Sequence, residues 1–468
     1  MAENYKRRKE ENELIIRFED YLKNHAPLFF EMEAFEEIIT IYQDRGDHKK
    51  ALSACALAQE QYPFSIEIAL LKAQVLSNAE QFDEALDVLE NAESLQPNEP
   101  EIHMLKGSIY SLLFQHEQAI EAYKNALDFS EDKDEVYYSL GMSYQSIEDF
   151  DQAISCYKAA IEANIFHEGA LYELAYCLDV IGELEKSISY YKKFIDSDPY
   201  SQGAWYNLGI VYNKLEKYDL AIDAYEYAIA IEENFASAYF NLGNTYMSIE
   251  KYTKSLDAYR KTVDIEGPSS EVYCSMGRAY ENLEQYELAL KYYQKAVKLD
   301  SLYDEAWFGA GTCLGAQEKW LEAIHFLSKA VKLDNLNDEY WVELARAEHE
   351  VGNVVASREA YEVASDLNPE DKEIWLEWSL IYYEQGEIDK AIEVILNGFD
   401  DNPDDADFHY RLTAYLIGAG KYKEAFNYLE NALILDFEKH KVLLEFFPEL
   451  EIQKALFKII DQYRKDNY

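Results

Sequence analysis

Trp205–Tyr212 reads WYNLGIVY, and Tyr239–Tyr246, 34 residues further on, reads YFNLGNTY. A near-repeat at a fixed step is the mark of one structural unit used again, and the same step carries along the chain in both directions. A frame of 34 residues opens at Met32 and closes at Lys439 with no insertion or deletion. It divides 32–439 into twelve repeats: 32–65, 66–99, 100–133, 134–167, 168–201, 202–235, 236–269, 270–303, 304–337, 338–371, 372–405 and 406–439. Within this frame position 20 is always Ala or Ser, as in Ala51, Ser187, Ala221 and Ala425. Position 8 is Gly or Ala in nine repeats, and position 27 is Ala in nine, with Phe194, Thr262 and Gly398 as the exceptions.

Close packing of two helices per repeat accounts for the pattern. Trp205, Leu208, Gly209 and Tyr212 (positions 4, 7, 8 and 11) share one face of a first helix, and Ala221, Tyr225 and Ala228 (positions 20, 24 and 27) share one face of a second. Small residues let the backbones approach, and aromatics fill the space left around them. The helix breakers agree: Pro63, Pro97, Pro199, Pro369 and Pro403 stand at position 32, and Gly46, Gly182, Gly352, Gly386 and Gly420 mark a turn at position 15. Outside the array, Leu14, Ile15, Phe18 and Leu22, then Leu456, Ile459, Ile460 and Tyr463, form helical stripes. A repeat cannot bury its own apolar face, so 1–31 is expected to be an N-terminal capping helix and 440–468 C-terminal capping helices.

Small residues at 8, 20 and 27, aromatics at 4, 11 and 24, and Pro at 32 in this period resemble the tetratricopeptide repeat. The resemblance covers 32–439 and is weakest in the first repeat, where Ile39 holds position 8. It implies an all-α fold, a right-handed superhelical solenoid of antiparallel helix pairs whose first helices line a concave groove.

The composition limits what such a groove would bind. Ninety acidic residues face 43 basic ones, a formal net charge of -47. That surface repels nucleic-acid phosphates and anionic membranes and favours basic protein partners. No apolar run is long enough to insert in a membrane, and the charged N-terminus does not read as a signal peptide. The five cysteines are odd in number, scattered and free of any CxxC, which suits a reducing, cytoplasmic setting.

Chemistry is hard to find. Gly418, Gly420 and Lys421 imitate a phosphate loop, but Tyr422 follows where Ser or Thr is needed, and they fall at the inter-helix turn. Gly309, Gly311 and Gly315 imitate a dinucleotide turn inside a first helix. The nine histidines make no ligand pair, so no metal and no cofactor is expected. Cys274, at groove position 5, reads either as a reactive thiol or as a small apolar contact. Too little chain lies outside the array for a catalytic domain, so an enzyme is not expected.

The groove carries the candidate site. Relatives that clamp a carboxylate terminus need Lys at position 5 and basic residues at positions 2 and 6. Here position 5 is never Lys and position 2 is mostly acidic, so this is not a carboxylate-clamp binder of chaperone tails. Residues 338–371 and 372–405 each hold ten acids against two bases. In them Glu339, Glu343 and Glu350, at positions 2, 6 and 13, recur as Glu373, Glu377 and Glu384. This ladder reads as a receptor for Lys or Arg, or as a solvated acidic face. Its (i, i+4) carboxylates should repel, so Glu343→Gln and Glu377→Gln should relieve the free protein. Position 5 adds Tyr138, Tyr172, Tyr206, Phe240 and Phe308, and position 6 adds Asn207 and Asn241, residues also common in the family. The expectation is a non-catalytic scaffold binding a basic peptide segment or protein in the groove. The alternative is a chaperone-like or assembly factor that shields basic proteins by bulk charge.

Overall fold

The structure, a computed structural model, describes residues 13–23, 29–399, 403–441, 443, 447 and 454–467. The described residues are helical or in turns, with no strand. The chain divides into two compact halves, Met1–Glu233 and Asn234–Tyr468, and six helix pairs are described in each. The pair Gln202–Lys214 and Tyr218–Ile231 shows how the opening phrase folds: Ala204, Leu208, Gly209, Val211 and Tyr212 are buried on the first helix, and Ala221, Tyr225 and Ala228 on the second.

The small residues are small because a ring lies on them. A methyl built on Gly209 would stand 2.6 Å from the Tyr225 ring, and one on Gly243 2.5 Å from Tyr259. Ala221 and its counterparts at position 20 have no exposed surface. The fifth repeat departs from this pattern: its second helix begins as a 3₁₀ turn, Leu184–Lys186, and continues as the shorter Ser187–Ser197.

The turn between paired helices follows one template. Glu216 N–H bonds Asn213 O at 3.0 Å and Lys217 N–H bonds Tyr212 O at 2.9 Å, which leaves Glu216 in the left-handed region at φ 56°. Every repeat does the same at position 15. Gly46, Gly182, Gly352, Gly386 and Gly420 take positive φ there, and so do Glu80, Phe114, Glu148, Glu216, Glu250, Glu284 and Glu318. Glycine marked five of these turns in the sequence; the other seven hold a side chain in a conformation that costs roughly 1 kcal/mol. Helix pairing overrides local preference.

At the N-terminal end, Ile15 and Phe18 pack with Phe30, Phe35, Ile38 and Ile39. At the other end Leu456 and Ile460, on Lys454–Asn467, are buried in one cluster with Leu412, Leu429 and Leu433. Residues 1–12, 24–28, 442, 444–446, 448–453 and 468 of the expected terminal segments lie outside the described residues.

Candidate functional site

The candidate residues sit on first helices, and in six of the repeats a recurring bond ties the start of that helix to the preceding repeat. The indole N–H at position 4 donates to the carbonyl of position 32 in the preceding repeat: Trp205 to Pro199 at 3.1 Å, Trp307 to Ser301 at 3.0 Å, Trp341 to Asn335 at 3.0 Å and Trp375 to Pro369 at 2.9 Å. His103 and His409 replace tryptophan and reach Pro97 and Pro403 through Nε2 at 2.9 and 3.3 Å. Each bond satisfies a carbonyl that the ending helix leaves unpaired.

From the other side, tyrosines at position 24 pass between the first helices and present their hydroxyls to groove residues. Tyr157 donates to Gln145 Oε1 at 2.6 Å, Tyr259 to Asn244 Oδ1 at 2.6 Å, Tyr293 to Glu281 Oε2 at 2.6 Å and Tyr361 to Glu377 Oε2 at 2.8 Å. Burial pushes these phenols above their ordinary range, so they remain donors. The repeat pattern makes position 24 a space filler; its hydroxyl also orients the groove.

The acidic ladder is partly occupied by the chain itself. Arg346 grips Glu377 with Nε at 2.8 Å and Nη2 at 2.7 Å, and its Nη1 bonds Glu343. The bond to Glu377 holds the guanidinium pKa above its usual value, against the opposing effect of burial. Glu343 and Glu377 therefore share one cation. Repulsion survives at Glu339, whose carboxyl is raised by burial and then by Glu343 and Asp338. Glu384 lies 3.1 Å from His349 Nε2. Glu350 and Glu373 are exposed, with no ion pair among the described residues.

Beyond the ladder, Lys372 bonds Asp407 at 2.8 Å and Asp405 at 3.0 Å, and Lys439 bonds Asp407 at 2.7 Å. Burial raises Asp407, but these two lysines outweigh it and leave the carboxyl below its ordinary value. Phe447 then packs edge-on against Tyr383 and Tyr415 at 5.2 and 5.8 Å, with the Arg411 guanidinium 5.5 Å from its ring centre. The space left beside Glu373, Asp407, Tyr410 and Lys439 is about 210 Å³.

The aromatic stripe is shared between core and groove. Tyr138, Tyr206 and Phe240 lie 6.0, 6.0 and 5.6 Å from the position-24 rings Tyr157, Tyr225 and Tyr259, and Phe308 stacks on Tyr340 at 4.6 Å. Tyr172 is half exposed and lines a cleft of about 140 Å³ with Asn207 and Tyr176. Asn241 is partly buried on the first helix Ala236–Ser248. Cys274 is 2% exposed, and burial pushes its thiol up to about 12, which favours the apolar contact over a reactive thiol. All five cysteines are buried and free.

Asp134, Glu135 and His167 bring possible ligand atoms within 4.8 Å of one another. His167 Nδ1, however, accepts the Ala170 N–H at 3.0 Å as a helix cap. Its proton then sits on Nε2, 3.6 Å from Glu135, where a metal would need a lone pair. Asp134 is engaged by Asn164 at 2.7 Å. The cluster is a cap with two acids nearby.

Helices in successive pairs, small residues under rings and a face made of first helices define an all-α repeat solenoid. Models of tetratricopeptide-repeat families match along its length: the Psidin N-terminal TPR repeats region over 37–166, tetratricopeptide-repeat models over 138–202 and 203–235, and the Cilia and flagella-associated protein 70 C-terminal domain over 229–441. The chain belongs to the tetratricopeptide-repeat family, whose members generally mediate protein–protein interactions and are typically non-catalytic. Among solved structures it is 32% identical to MamA, covering 37% of this chain and 94% of that one at a TM-score of 0.33. A chain of the APC/C hetero-tetramer Cut9–Hcn1 is 14% identical, covering 88% and 95% at 0.42. YrrB, described as a TPR protein with an unusual peptide-binding site, is 24% identical, covering 40% and 96% at 0.35. No curated protein matches the sequence. Among the described residues, no helix is long and apolar enough to cross a membrane.

Sequence reading passed over one group of groove residues. Leu70, Leu71, Met104 and Leu105 occupy positions 5 and 6 of the second and third repeats and remain partly exposed. Two adjacent apolar residues at groove positions, where the fourth to seventh repeats pair an aromatic with a polar residue, were the available signal.

Proposed function

We propose that this chain is a non-catalytic interaction scaffold that binds a basic peptide segment or protein partner in the groove of its first helices. One observation carries the reading: position 2 presents exposed carboxylates at Glu33, Glu67, Glu101, Glu135, Glu271, Glu305, Glu339 and Glu373. Several cations on first helices are already held by the chain's own acids, Arg278 by Glu305 at 3.0 Å, Arg346 by Glu377, and Lys214 by Asp179. Such a face has negative charge to offer and little positive charge, which is also why we do not read it as a carboxylate clamp. The aromatic positions Tyr138, Tyr172 and Tyr206 in the first half, and Phe240 and Phe308 in the second, would supply rigid contacts to a partner docked on that half.

Cross-linking in native lysate, followed by mass spectrometry, identifies the partner, and titration at two salt concentrations tests how it binds. A groove site gives one defined stoichiometry that survives moderate salt. Shielding by bulk charge gives graded association with many basic proteins, lost together as salt rises; that result would replace our reading.

A further inference from the structure

The first helices Met32–Asp44, Ile66–Asn78 and Pro100–Leu112 enclose a groove of about 610 Å³. Its floor is Leu70, Leu71, Met104 and Leu105, and its rim is Glu36, Glu67 and Glu101. These three carboxylates make no ion pair among the described residues. Glu67 is held below its ordinary pKa by its own backbone N–H and by Ser65, so it stays charged. The nearby cations are turned away: Lys72 bonds Gln59 at 2.9 Å and Lys106 bonds Glu93, both partners lying on second helices. Residues 66–99 hold eight acids and, in Lys72, a single base.

Resting on the reading that the partner is a basic protein segment, we infer that this groove is its docking site, and that the segment carries aliphatic side chains between arginines or lysines. An acidic rim alone would take any cation, and an apolar floor alone would take any apolar face. Together they select a chain with apolar residues at its centre and positive charge at both ends, since each half of the match is weak without the other. Burying the leucines also removes water from around the rim pairs and strengthens them.

The probe is a labelled peptide, RRLLLRR, titrated against the full-length protein by fluorescence anisotropy. We expect RRSSSRR and EELLLEE to bind at least about tenfold more weakly. Glu101→Lys, at an exposed position, should weaken RRLLLRR by about tenfold or more while thermal unfolding stays unchanged; Glu67→Gln gives a smaller loss. Glu322→Gln, at an exposed position on the second helix Trp320–Leu333 of the other half, should leave its affinity unaltered. If RRSSSRR binds as well as RRLLLRR, charge alone acts and the inference fails. Failure also follows if Glu373→Gln abolishes binding while Glu101→Lys does not, although a basic partner would then still dock in a groove of this protein. Absence of binding by RRLLLRR to the folded protein overturns it outright.

Discussion

The groove of the first three repeats and that of the last two are built from the same helix positions and end in opposite states. The first keeps an apolar floor and unpaired carboxylates around about 610 Å³. In the second, Lys372, Lys439 and Arg411 stand among the acids, Leu443 and Phe447 fill the floor, and about 210 Å³ remains. Acid count therefore does not locate a receptor for cations. The richest acidic stretch, 338–405, is where the chain has placed its own guanidinium between Glu343 and Glu377. Surface carboxylates matter for recognition to the extent that nothing intramolecular has already neutralised them.

The largest expected effect tests the filled groove. Phe447→Ala removes a ring 3% exposed from its seat against Tyr383 and Tyr415 and should cost about 3 kcal/mol in chemical denaturation. A loss under about 0.5 kcal/mol would mean that this groove is open in solution, and the contrast between the two regions would collapse.

Next comes Glu377→Gln. Losing the forked bond from Arg346 should destabilise by about 1 kcal/mol, discounted because the pair is partly exposed, whereas Glu101→Gln should fall within about 0.5 kcal/mol of wild type. Were Glu377→Gln stabilising, the repulsive ladder expected from sequence would be the correct description.

A similar size is expected for Asp407, with a pH signature. Its folded pKa lies below the ordinary carboxylate value, so its contribution is complete above that ordinary value and disappears as pH falls through the depressed one. Asp407→Asn should cost about 1 kcal/mol at neutral pH, and the difference from wild type should close in acid. A gap independent of pH would assign the loss to packing.

The turns come last, as an internal control because both regions use one geometry, and the gain expected at Glu80 is the smallest effect. Gly352→Ala should cost roughly 1 kcal/mol and Glu80→Gly should gain a few tenths of a kcal/mol, both read by thermal unfolding, since each residue stands at positive φ. Equal and negligible shifts would remove the strain attributed to position 15.

Fold class was legible because packing two helices at a fixed spacing demands small residues at fixed places, and twelve copies of that demand are hard to miss. Gly209 and Ala221 announce the contact that Tyr225 makes. The site was legible only as composition. Glu377 reads as one of a row of acids, and nothing local shows that Arg346, 31 residues earlier, will lie against it. Likewise the hydroxyl of Tyr361 has no sequence signature distinguishing it from a ring that merely fills space.

By itself, then, the sequence determined the period, the helix pairs, the turn positions and the net charge, since these follow from backbone geometry and residue type over short spans. Tertiary structure decided which carboxylates are paired with a cation of the chain itself. That choice depends on where a long side chain such as Arg346 or Lys372 reaches once adjacent repeats have stacked, and on Phe447 being carried back against Tyr383 and Tyr415. Electrostatic pairing falls off over a few ångströms of separation in space, and only the stacked helices set those separations.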